Sequence, residues 1–196
     1  MIGALHRSQR EELIPIATDL SPVLTPIHPI RAVLFDIYGT LLISGSGDIG
    51  NAIETSRSSV FYRALEIADA APRNPEIGVR AERLFLDNIA ASHARSKESG
   101  IDYPEVDILE IWQTSLWSLK DAGMIGAEVT SGLCERVAVA YEVTANPVVL
   151  MPGAGEILQK LSRLGYIIGI VSNAQFFTPR LLEIELGASL SDIGFS

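Results

Sequence analysis

The stretch Arg31–Leu42, RAVLFDIYGTLL, decides the fold. Arg31 to Phe35 is a short apolar run rich in β-forming residues, and it stops abruptly at Asp36 and a glycine-containing turn. A continuous apolar run of that length fits a strand buried on both faces, as in a parallel sheet. The pattern returns at Tyr166–Val171 (YIIGIV), which follows a helix-forming segment, Glu156–Leu164, stopped by Gly165. This second run ends at Ser172-Asn173. In a parallel sheet with helical crossovers both carboxyl ends lie on one edge, where open α/β folds bind ligands. Asp36 and Ser172 are therefore expected to face one crevice.

The residue types at that edge suit anion chemistry. A carboxylate at a strand end can attack an electrophile and form a covalent intermediate. The turn Ile37–Thr40 presents main-chain N–H groups to an anionic substrate. Gly39, lacking a Cβ, is expected to let the backbone approach closely. Ser172 and Asn173 add hydrogen-bond donors.

Beyond Leu42 the composition changes. Ile43 to Asn51 (ISGSGDIGN) reads as a glycine- and serine-rich loop of the kind by which a chain leaves one domain for another. From about Ala52 to Tyr141 apolar residues recur at three- and four-residue spacings, most cleanly at Ile108, Ile111, Trp112, Leu116 and Leu119. Breaks at Pro72–Pro75, Gly100–Pro104 and Gly123–Gly126 divide this region into four helices, enough for a bundle with its own core. Trp112, Trp117, Tyr62 and Phe85 are assigned to that core. Glu105, Asp107 and Glu110 are read as a solvated face near a helix start, and Glu183 and Glu185 likewise as solvated. Cys134 reads as a buried small apolar residue. Pro147–Leu150 restarts an extended segment. A last helix is predicted over Thr178–Leu186, with Pro179 in its first turn and Gly187 at its end. Residues 1–29, punctuated by Pro15, Pro22, Pro26 and Pro29, read as an N-terminal extension that packs as an arm or hangs as a tail, with a short helix around Ser8–Leu20 that Pro15 opposes.

Composition narrows the class. The chain has 196 residues, 47% hydrophobic and 20% charged, as in ordinary globular proteins. A net charge of −9 opposes binding to nucleic acid or anionic membranes. Cys134 is the only cysteine, so no intrachain disulfide forms, and His6, His28 and His93 are scattered. With no recognisable signal peptide and no apolar run near bilayer length, a cytoplasmic location is expected.

AVLFDIYGTLL resembles the first signature of the haloacid dehalogenase-like (HAD) superfamily, and IIGIVSNA resembles its second. MPGAGEILQKLSRLGY is similar to the segment that leads from the helical cap back into the core in these enzymes. The resemblance covers roughly residues 31 to 190. It implies an α/β fold, a partial Rossmann-like parallel sheet core (residues 30–45 and 146–196) with an inserted all-helical cap (residues 46–145). It implies Asp36 as nucleophile, Tyr38, Gly39 and Thr40 around it, and Ser172 with Asn173 on a small anionic substrate. In the phosphatases of the superfamily it further implies Mg2+, here with Asp36 and the Tyr38 main-chain carbonyl as ligands.

Two departures bear on the chemistry. Those phosphatases carry a second Asp two residues after the nucleophile as general acid/base; Tyr38 stands there, with an ordinary pKa of about 10 that suits proton shuttling poorly. Tyr at this place resembles the 2-haloacid dehalogenase branch, which needs no metal cofactor and whose departing halide needs no proton. That branch also carries a cap arginine, for which Arg63 is the nearest candidate, although Arg63 reads first as a solvated helix residue. The superfamily's third signature, a lysine, and its fourth, a pair of acids, belong where this chain has almost ended: the last lysine is Lys160 and the last arginine Arg180. Three readings follow. They are a hydrolase of small phosphate esters, the chemistry that dominates the superfamily; a 2-haloacid dehalogenase, favoured by Tyr38; and a truncated, catalytically dead fragment. The chain as it stands is expected to be weak or inactive. It is also expected to expose apolar sheet surface through which it self-associates.

Overall fold

The computed structural model describes residues 3, 6, 13–23, 25–27, 29–45, 57–102 and 104–195. Their elements run β1 (Ala32–Phe35), β2 (Leu42–Ser44), α1 (Ser58–Ile67), α2 (Ile77–Glu98), α3 (Ile108–Asp121), α4 (Ser131–Ala145), β3 (Val148–Leu150), α5 (Ala154–Arg163), β4 (Ile167–Ile170), α6 (Thr178–Leu186) and α7 (Leu190–Ile193). The chain divides into two compact units, Met1–Gly47 with Asn146–Ser196, and Asp48–Ala145.

In the first unit β1 and β4 pair in parallel, Ala32 opposite Ile167 through Phe35 opposite Ile170. Helix α5 packs on β4, and Gly165, at φ +78°, turns the chain between them. The expected two-sided burial is corrected. Ala32, Leu34 and Ile167 share a face that is exposed, whereas Ile168, on the other face, is fully buried. An apolar run alone does not distinguish a strand covered on one face from a strand covered on both.

A second ribbon went unforeseen. β2 and β3 pair antiparallel, Leu42 opposite Leu150 and Ser44 opposite Val148, so Ile43 and Ser44 belong to a strand and not to the loop assigned from Ile43 onward. The ladder holds because Leu42 and Val148 are buried as a pair of anchors, and because Ser44 Oγ donates to Asn146 Oδ1 at 2.6 Å where the chain returns. The remainder of the predicted loop and the start of the first predicted helix, residues 46–56, lie outside the described residues.

Residues 13–20 carry no helix, so the helix expected around Ser8–Leu20 is not present over its described part. Pro15 explains this, since it supplies no N–H and disfavours helix in the preceding residue. Gly3 and His6 are instead helical. His6 is buried, its Nε2 2.9 Å from Glu185 Oε1, and Glu185 Oε2 accepts the Leu150 N–H at 3.0 Å. Glu185 was expected to be solvated; that is corrected, because α6 turns this side of itself towards partners remote in sequence.

In the second unit α1–α4 form a helical unit, with breaks near the predicted positions. Phe61, Phe85, Trp112 and Tyr141 stack together with ring centroids from 4.5 to 5.7 Å apart. Burial raises the Tyr141 phenol's pKa, opposed by the Arg57 guanidinium hydrogen-bonded to it. Trp117, assigned to the core, is 46% exposed. It lies five residues after buried Trp112, about 140° round the helix at 3.6 residues per turn. Asp107 caps α3, its carboxylate accepting the N–H of Leu109 and Glu110, and Cys134 is buried as expected.

Candidate active site

Asp36 leaves the end of β1 and Ser172 lies just past the end of β4. Phe35 pairs with Ile170, and the Val171 N–H donates to the Phe35 carbonyl at 2.9 Å, so the two chains stay joined to their carboxyl ends. Continued by one residue, this register sets Asp36 beside Val171, with Ser172 next in line. Both residues therefore stand on the same edge of the sheet. Asp36 and Asn173 are exposed and Ser172 is half-buried.

The turn after Asp36 is pinned through one carbonyl. Ile37 O accepts from the N–H of Thr40 at 3.2 Å, Leu41 at 2.8 Å and Leu42 at 2.9 Å. Buried Ile37 and Leu41 anchor it from below. The Gly39 N–H donates to the Leu42 carbonyl at 2.8 Å. The N–H groups of Gly39 and Thr40 are thus engaged inside the turn, which corrects the expectation that they face a substrate. Gly39 also serves differently from the expectation. A Cβ there would meet nothing within 4 Å, so close approach is not its role. Its φ of +82° is, because residues with a Cβ rarely adopt that region. Thr40 keeps an exposed side chain.

Tyr38 is half-buried, and its hydroxyl lies 3.0 Å from Thr178 Oγ1. Thr178 is fully buried and opens α6, the helix that follows the Ser172–Asn173 loop. Sequence reasoning missed Thr178. Its position before Pro179 marked a helix start but gave no sign of a partner 140 residues earlier.

Lys160 and Arg163 occupy the last turn of α5, which leads into the amino end of β4, the edge opposite Asp36. The Arg180 guanidinium binds Glu183 at 2.9 Å and, with the Leu190 N–H, holds that carboxyl below the usual range. Arg63 is exposed on α1. Among the described residues no three His, Cys, Asp or Glu side chains converge to hold a metal ion. Asp36 with the Tyr38 carbonyl makes two oxygen ligands where magnesium takes about six, several of them water.

The chain belongs to the haloacid dehalogenase-like hydrolases, the family that matches it over residues 30–194. It is 28% identical over 173 residues to (S)-2-haloacid dehalogenase 4A of Burkholderia cepacia, a match covering 85% of this chain and 58% of that protein. Among solved structures it is similar to a dehalogenase at 24% identity, covering 87% of this chain and 62% of the other with a TM-score of 0.34. A dehalogenase with an intermediate complex matches at 22% identity over 87% of this chain and 67% of the other, with a TM-score of 0.33. The chain thus spans less than two thirds of the length of the curated relative it matches. Among the described residues no helix is long and apolar enough to cross a membrane.

Proposed function

We propose that the Asp36 edge serves dehalogenation of a small 2-haloacid. The observation that carries this reading is Tyr38. Two residues after the nucleophile, where a phosphatase needs an acid to protonate its leaving oxygen, stands a phenol hydrogen-bonded to a buried threonine hydroxyl. Halide leaves without a proton. The similarity to (S)-2-haloacid dehalogenase 4A supports the same chemistry, and the proposal concerns the whole protein of which these residues form the site.

In this reading an Asp36 carboxylate oxygen bonds to C2 of the substrate as the carbon–halogen bond breaks, and halide departs with the electron pair. Water then adds at the Asp36 acyl carbon and leaves its oxygen in the regenerated carboxylate. The 2-hydroxy acid departs with the former Asp36 oxygen and one proton of that water; the other proton goes to solvent. Ser172 and Asn173 donate to the substrate carboxylate.

The test measures halide release from both enantiomers of 2-chloropropanoate, with and without chelator, beside hydrolysis of a phosphate ester. Halide release that chelator leaves unchanged is expected. Phosphate-ester turnover abolished by chelator, without halide release, refutes the proposal in favour of the phosphatase reading.

A further inference from the structure

We propose that Thr178 is a positioning residue, bracing the nucleophile turn through Tyr38; the inference rests on Asp36 being the nucleophile, as read above. The turn carrying Asp36 and the loop carrying Ser172 and Asn173 belong to different strands, and β1 and β4 pair only as far as the Val171 N–H. Beyond that point the Tyr38 hydroxyl meets Thr178 Oγ1 at 3.0 Å, on the residue that opens the helix after the Ser172 loop. This contact joins the two halves of the site on the far side of the sheet edge.

The burial of its two ends makes the contact directional. Thr178 is fully buried, so its hydroxyl has no water to turn to, and leaving it unmatched is costly. Tyr38 is held at its own backbone by a bridge to Leu42 and at its tip by Thr178. Asp36 lies two residues upstream on the same turn. A shift of the turn therefore moves the attacking oxygen relative to the donors at Ser172 and Asn173, and a displacement near one ångström costs about a hundredfold in rate in such sites.

The experiment compares wild type, Thr178→Val, Thr178→Ser, Tyr38→Phe and the Tyr38→Phe/Thr178→Val pair, with melting curves confirming that each is folded. Hydrogen exchange at the Gly39 and Leu41 amides reads the brace without any turnover. Thr178→Val is expected to speed exchange there about tenfold while amides of α2 stay unchanged, and Thr178→Ser to restore protection. On whichever substrate the wild type turns over, Thr178→Val is expected to lower kcat about 10- to 100-fold with KM within about twofold. The double variant should be no worse than the poorer single variant, since both remove one contact. Unchanged exchange in Thr178→Val, or kinetic losses that multiply in the double variant, overturns the brace. A wild type that releases no halide but cleaves a phosphate ester overturns the dehalogenase reading instead, and exchange still decides the role of Thr178.

Discussion

Replacing His6 with leucine tests whether the amino-terminal segment is an integral part of the first unit. The His6 and Glu185 side chains are 2% and 4% exposed and meet at 2.9 Å. Removing one partner of a buried hydrogen bond typically costs about 1–3 kcal/mol. Glu185 Oε2 keeps the Leu150 N–H at 3.0 Å, and a loss of about 2 kcal/mol is expected. For a chain of this size that corresponds to a fall in Tm of about 4–8 °C. The assay is thermal unfolding followed by circular dichroism, repeated in a Glu185→Gln background, where the contact is already altered and the loss on removing His6 should shrink. A fall under about 2 °C, or an equal fall in both backgrounds, would refute the reasoning.

Gly78→Ala should destabilise the helical unit by about 1–3 kcal/mol in urea unfolding, because a methyl there collides with the Ser58 main-chain carbonyl where α2 meets α1. Helix propensity alone predicts the opposite sign, so a stabilised variant would contradict the packing. The exposed face bearing Leu34 and Ile167 is proposed to drive self-association. Ile167→Lys should shift sedimentation towards monomer, and a wild type already monomeric at high concentration would contradict that.

Local signals and long-range partners differed in how well the sequence carried them. The ends of β1 and β4 were legible because an apolar run broken by Asp36 or by Ser172 is written within a few residues, and the helical unit was legible from its periodicity and breaks. The β2–β3 ribbon was not, since three residues of strand beside a glycine-rich loop have no period to read. Glu185 and Thr178 were misjudged or missed for another reason. Their partners, His6 and Tyr38, lie 179 and 140 residues away, and no local pattern marks such pairs. At Gly39 the turn requires the backbone conformation and leaves space where a Cβ would be, so the close approach expected from its lack of a Cβ is not what the position uses.

The central claim is that Asp36 itself attacks the substrate, and a single turnover in water labelled with heavy oxygen tests it most directly. With protein in excess over 2-chloropropanoate, mass spectrometry should find the heavy oxygen in the peptide containing Asp36 and ordinary oxygen in the 2-hydroxypropanoate. Heavy oxygen in the product, with an unlabelled Asp36 peptide, would mean that water attacks the substrate directly and would contradict the account.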